Sequence, residues 1–430
     1  MTAEIAIMNH NGIALASDSA VTIQTKNGKK IYNTGNKLFM LSKYEPIGIM
    51  IYGRAKFMGV PWEIIIKLFR EKVLSYEKFS TLEEYAEKFI SFLIDDDMII
   101  PLKKQQESFL LDIESYLRMI NTKIEKNVKE KMGNSKQIEE SKIKRISEDV
   151  IDEYNNGWQK RKLIGNISKE GKNRLIKDFE EKIFGKINEV FERLPISEEY
   201  NNKLLNLSIN IYLKINSKPE SSGIVIAGYG EEEIFPSLVA YTIYSKVNKI
   251  LKYNKEKNTK ISFDIIASIS PFAQSEMVHT FIEGIDKDQK LIIDNYLRQM
   301  FLVDYPERIC DKFNGIGKDN IKDLRLLGKL LIDEFNEKME LYRDEKHVTK
   351  VSNSVSFLPK DELAEMAESL VQLTSFKRRV SMDDETVGGP IDVAIITKGD
   401  GFIWMKRKHY FSKEYNRHFF ENYFTKKGEE

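Results

Sequence analysis

Strand-like and helix-like stretches of this chain come in separate blocks, and that segregation narrows its fold more than any other feature. Ile5 and Ile7 alternate with their neighbours, Asn9-His10-Asn11-Gly12 has turn chemistry, and Ile13-Ala14-Leu15-Ala16 returns, which predicts a hairpin. A second hairpin is expected from Lys37-Leu38-Phe39-Met40-Leu41, a turn from Lys43 to Pro46, and Ile47 to Tyr52, with Gly53 closing the strand. The period then changes. Ile64, Ile65, Leu68, Phe69 and Val73 predict an amphipathic helix, and Tyr85, Phe89 and Phe92 another after a cap at Ser80/Thr81. The β pattern resumes at Gly223 to Gly230, Pro236 to Ile243 and Ile261 to Ile269, and a helix is expected from near Phe272 through Met277 and Phe281. A helix over 360–376 leads to a final hairpin, Ile391 to Thr397 and Phe402 to Met405, around Lys398-Gly399-Asp400-Gly401. A doubly wound parallel sheet needs regular β–α alternation, which is missing. Hairpins separated by paired helices suit an α+β fold of two antiparallel sheets packed face to face under helix layers.

Two stretches interrupt that pattern. Residues 101–215 are rich in Lys, Glu, Asn and Ile, with Phe109, Ile113, Tyr116, Leu117, Ile120 and Ile124 at helical spacing, and read as a solvated helical insertion. Residues 286–350 read as a second helical insertion, and 407–430 as a C-terminal tail. The 430 residues are 41% hydrophobic, enough for a sizeable core, and 31% charged. Lys+Arg 67 against Asp+Glu 66 leaves a net charge of +1, so no overall field points to nucleic acid or to an anionic membrane. The single Cys310 excludes an intramolecular disulfide and is compatible with a reducing cytosol. With neither a leader pattern nor an apolar run of the ~18 residues that span a bilayer, a cytoplasmic protein is expected.

Thr2 carries the chemistry. Removal of Met1 would put a free α-amine and a hydroxyl on one residue, a nucleophile beside its own base, because an α-amine of pKa about 7.7–8.0 is partly neutral at cellular pH. Other chemistries find little support. His10, His279, His347, His409 and His418 are scattered without zinc-ligand spacing, and Asp95-Asp96-Asp97 reads as a loop rather than a metal cluster. The phosphate-binding loop G-x-x-x-x-G-K-[ST] does not occur, and no cofactor is expected. Lys406-Arg407-Lys408-His409-Tyr410 reads as a solvated basic edge.

Thr2 opening a strand, Asp18 sixteen positions on, Lys37 at the next strand, Gly53 closing its partner, and a late Asp384-x-x-x-Gly388-Gly389 before a strand pair occur together in order. In this the chain resembles the proteasome β-subunit family, closest to its bacterial HslV-type relatives, over 2–93, 222–285 and 355–406. The resemblance implies a four-layer αββα sandwich of the N-terminal-nucleophile hydrolase type, one domain spanning 2–406 with the helical insertions within it. It implies that Thr2 is the nucleophile, its amine accepting the proton directly or through a water. Lys37 would stay charged, lowering the amine's basicity and holding Asp18, while Lys29 and Lys30 fall in a Gly-containing turn. The Gly53 N–H would hold the oxyanion, and Asp384 would help to hold a serine and the amine. The family pattern has a serine three residues after that aspartate, where this chain has Val387 with Thr386 adjacent. A further serine, in a turn before a helix, matches Ser270, with Ser275 as the other candidate. The implied activity is a threonine peptidase in a self-compartmentalising homo-oligomeric ring, acting on polypeptides, with a separate unfolding ATPase as a possible partner. An inactive scaffold subunit and a non-peptidase amidase are the rival readings.

Overall fold

A computed structural model describes residues 2–25, 28–132, 138–165, 167–214, 221–313, 320–381, 387–412 and 414–424. Fourteen strands are described: β1 (Ala3–Asn9), β2 (Gly12–Ser17), β3 (Val21–Thr25), β4 (Gly28–Tyr32), β5 (Leu38–Met40), β6 (Ile47–Gly53), β7 (Lys56–Phe57), β8 (Val60–Pro61), β9 (Ser222–Gly228), β10 (Ser237–Val247), β11 (Ile250–Lys260), β12 (Ala267–Ala273), β13 (Asp392–Thr397) and β14 (Gly401–Lys406). They make two five-stranded sheets, ordered β12-β1-β2-β13-β14 and β11-β10-β9-β6-β5, and two small ribbons, β3-β4 and β7-β8. Every pairing in the two sheets is antiparallel.

The helices are α1 (Trp62–Lys72), α2 (Leu82–Asp95), α3 (Leu102–Met132), α4 (Glu140–Gln159), α5 (Lys169–Phe191), α6 (Glu198–Leu213), α7 (Glu276–Glu283), α8 (Lys287–Gln299), α9 (Tyr305–Lys312), α10 (Ile321–Arg343), α11 (Thr349–Phe357), α12 (Lys360–Val380) and α13 (Arg417–Phe424). No described helix is long and apolar enough to cross a membrane.

Strand alternation explains the packing. On β1 and β2, Ala6, Met8, Ile13 and Leu15 share one core with Leu38, Met50, Val225, Ala227 and Leu238 of the other sheet. The opposite parity, Ile5, Ile7, Ala14 and Ala16, packs on Leu363, Ala367, Leu370 and Val371 of α12 and on Val278 of α7. Ile49, Ile51, Ile224 and Val239 turn the outer face of the second sheet toward Ile65 and Phe69 of α1 and Tyr85 and Phe89 of α2. A one-residue register slip in β1 would exchange these faces, and each buried isoleucine contributes roughly 1.5–3 kcal/mol, so register is firmly set. Helices α3 to α6 close on a separate core around Ile113, Leu117, Phe179, Ile183 and Leu207. The α+β class with antiparallel sheets therefore stands.

Three local expectations change. Phe272 does not start a helix; it lies in β12, and α7 begins at Glu276. The strand expected over Ile261 to Ile269 is two features, the end of β11 before Ile261 and the start of β12 at Ala267. Lys29 and Lys30 are part of β4, paired with β3, rather than of a turn.

Candidate active site

The site forms where the first strand of one sheet and the last residues of β6 in the other reach the same end of the molecule. Thr2 is buried, 5% exposed. Its carbonyl accepts the backbone N–H of Gln274 at 3.0 Å, so it continues the β1–β12 pairing, in which Ala3 faces Ala273. Carried back one step, the alternation puts Thr2 on the parity of Glu4 and Ala6, the face shared by the two sheets.

Asp18 follows the last residue of β2 and is 1% exposed. Its Oδ1 accepts the N–H of Ala3 at 3.1 Å and Lys37 Nζ at 2.6 Å. Its Oδ2 accepts the N–H of Ala20 at 3.2 Å and of Gly388 at 3.1 Å. Four donors thus satisfy a buried carboxylate, one of them charged. Lys37, with its side chain 7% exposed, precedes β5, and its carbonyl accepts the Ile51 N–H at 2.8 Å. Asp18 and Lys37, sought from sequence, are brought together beside the residue that follows Thr2.

Gly53 ends β6 opposite Ser222, with φ +79°. A Cβ there would stand 2.5 Å from the Ser221 carbonyl oxygen, so only glycine fits this backbone. The neighbouring Tyr52 ring stacks on Phe272 at 5.9 Å, and Phe272 is the cross-strand partner of Glu4, which ties Gly53 to the β1 end.

The serine assignment needs correcting. Ser270 is in the middle of β12 opposite Ala6, and its hydroxyl accepts from Lys257 Nζ at 2.6 Å. It is not in a turn and is not the residue brought to Thr2; Gln274 is, with Ser275 next to it at the start of α7. Asp384 and Thr386 lie outside the described residues. Val387 is fully buried in the core beneath α12, and the loop it opens delivers the Gly388 N–H to Asp18.

Sequence reasoning missed two buried carboxylates. Glu4 is 2% exposed, and neither of its oxygens has a hydrogen-bond partner. Burial pushes its carboxyl up to about 8 from the usual 4.5, partly offset by the Lys37 cation, reinforced by the Asp18 anion and slightly lowered by the nearby Ser17 hydroxyl. Its only sequence signal is a charged residue inside Ala3-Glu4-Ile5-Ala6-Ile7. Asp392 stands opposite Ser17 and accepts Arg407 Nη1 at 3.0 Å, the Lys408 N–H at 2.9 Å, and Lys408 Nζ. The basic run is a solvated edge only in part: Lys406, paired with Glu368, and Tyr410 are exposed, but Arg407 and Lys408 neutralise a buried anion. A cavity of about 500 Å³ lined by Glu87, Ile90, Tyr241 and Tyr253 opens beside α2, on the far face of the second sheet from Thr2.

No protein-family description matches the chain, and no curated protein matches it. Among solved structures, it is similar to an Anbu (Gly-1) mutant from Hyphomicrobium sp. strain MC1, at 11% identity and TM-score 0.29, covering 98% of this chain and 92% of that one. It is also similar to Anbu (ancestral beta-subunit) from Yersinia bercovieri, at 10% identity and TM-score 0.28, covering 98% and 94%. Likeness at this level does not place the chain in a family. The membership suggested by the motif order, proteasome β-subunit or HslV type, is accordingly withdrawn, and the functional reading rests on the geometry of the residues themselves.

Proposed function

We propose that this chain is an amide hydrolase with Thr2 as its nucleophile, and a peptidase in particular. The observation that carries the reading is the buried Lys37–Asp18 pair, 2.6 Å apart and bonded to the N–H of Ala3. It sets a fixed cation beside the residue whose amine would serve as base. Once Met1 is removed, the Thr2 hydroxyl adds to the amide carbonyl carbon and its proton passes to the α-amine. The Gly53 N–H stabilises the oxyanion. Collapse of the tetrahedral intermediate breaks the C–N bond, the amine's extra proton goes to the leaving nitrogen, and water then hydrolyses the ester on Thr2. We read the three stacked cores as a four-layer αββα arrangement, with α3 to α6 and α8 to α10 as insertions. A catalytically silent scaffold is the second reading, favoured by Val387 where an amine-holding hydroxyl was expected.

Intact mass spectrometry decides between them. The mature chain should lack Met1 and gain one equivalent of a threonine-directed β-lactone at Thr2, and Thr2→Ala should lose all labelling. A correctly processed chain that never labels would favour the scaffold.

We further propose that the active form is a homo-oligomer. Helix α10 leaves Leu326, Leu327, Leu330 and Leu331 exposed, and α8, which it touches, leaves Leu291, Ile292 and Tyr296 exposed. Lys322, Arg325 and Lys329 against Asp323 leave the first half of α10 net positive, and Asp333, Glu334, Glu337 and Glu340 against Lys338 and Arg343 leave the second net negative. Two copies crossing antiparallel would match opposite charges around one apolar stripe, a self-complementary contact. Light scattering should show an oligomer that Leu327→Asp with Leu330→Asp converts to monomer. A wild-type chain that is monomeric at every concentration would rule this out.

A further inference from the structure

We propose that Glu4 is a positioning residue for the Thr2 chemistry, a buried carboxyl whose protonation state sets the charge that Lys37 and the Thr2 amine experience. This rests on the functional reading above and adds a residue to it.

Glu4 sits two residues beyond Thr2 on the same face of β1. It faces Ser17, the neighbour of Asp18, on one side and Phe272 on the other. The Tyr52 ring that stacks on Phe272 is near enough to Glu4 to feel its charge, and burial together with the field of Glu4 pushes that phenol up to about 12, so Tyr52 stays neutral. The Ser17 hydroxyl donates to the Asp18 carbonyl; it lies near enough to Glu4 to favour its anion weakly, but makes no well-directed hydrogen bond to either Glu4 oxygen. A strand in a sandwich core has no packing need for a carboxylate, and leaving one unbonded costs stability. The charged groups around it are few. Asp18 and Lys37 act on it directly. Farther along the same interface are Asp392 with its partners Arg407 and Lys408, and Lys257 bonded to Ser270.

While Glu4 is neutral, the Lys37 cation is offset by Asp18 alone, and its field keeps the Thr2 amine weakly basic and ready to accept the hydroxyl proton. When Glu4 releases its proton to solvent, a second anion enters this low-dielectric space. The amine then holds its own proton more tightly and is a poorer acceptor. Two coupled ionisations should therefore govern acylation in the wild type.

The test uses the full chain after Met1 removal, with the β-lactone labelling rate followed by intact mass from about pH 6 to 10. Glu4→Gln should follow a single ionisation, displaced to lower pH, and label about three- to tenfold faster than wild type near pH 8. Glu4→Met, similar in length without polar atoms, should behave alike. Infrared spectra of the wild type should also show the carbonyl stretch of a neutral buried acid at neutral pH, fading as pH rises and absent from Glu4→Gln. A wild type that labels while both variants keep its pH profile overturns this proposal alone, as does a missing acid band. A wild type that begins at Thr2 yet labels at no pH overturns the functional reading and this proposal with it.

Discussion

Lys37→Met is expected to lower stability by about 3 kcal/mol, the lower part of the range for breaking a buried ion pair from one side, and to bring Thr2 labelling to background. The Asp18 carboxylate is the reason for both effects. It is 1% exposed and would lose the one cationic partner it has among the described residues. The effect stays at the lower end because the N–H groups of Ala3, Ala20 and Gly388 still bond it. Asp18→Asn fails differently: its amide would direct N–H toward backbone donors that need an acceptor. The double variant should be less destabilised than the two single changes added together, by about 1–3 kcal/mol, because the two residues share one interaction. Urea denaturation of the four proteins measures this. A Lys37→Met chain as stable as wild type would mean that water reaches the pair, and the account of the amine's basicity would then fail.

The parts of the fold legible in sequence are those where local pattern and tertiary packing agree. The β1–β2 hairpin is one: both of its faces are buried, its turn residues are polar, and Asn9 pairs with Gly12 across a two-residue loop as the pattern implies. The placement of Asp18, Lys37 and Gly53 at strand ends was legible because each flanks or closes such a strand. Strand β11 was not. Its sequence Ile250–Lys260 carries Lys, Asn and Glu along an edge with one face exposed, so only the ladder to β10 defines it. The helix expected near Phe272 was placed too early: β12 continues through Ala273 as an edge strand, where the missing N–H of Pro271, opposite Ile5, is tolerated. Ser270, expected in the turn before that helix, therefore lies within the strand. Glu4 and Asp392 were hidden because a charged residue in a strand ordinarily faces water. Only the stacking of the second sheet, and cations arriving from the end of β14, show that these two do not.

Glu4 also makes the stability of the whole protein depend on pH, whatever its role at Thr2. Its carboxyl titrates near 8 when folded and near 4.5 when exposed, so the folded state holds this proton more tightly than the unfolded state. The stabilising contribution of the neutral acid is complete below about pH 4.5 and is lost progressively as pH rises through 8. For a fully buried group this amounts to up to about 5 kcal/mol between those limits. Ion-paired carboxylates push the other way: Asp400, held below its usual range by Lys360, favours the folded state as pH rises above the acid range. The prediction therefore concerns a difference between proteins. Glu4→Gln should match the wild type at about pH 5 and be more stable by several kcal/mol at about pH 9. Urea midpoints across that interval would show the two curves diverging on the alkaline side. Parallel curves would mean that Glu4 finds solvent or a partner once ionised, and that the space between the sheets at this end is open to water.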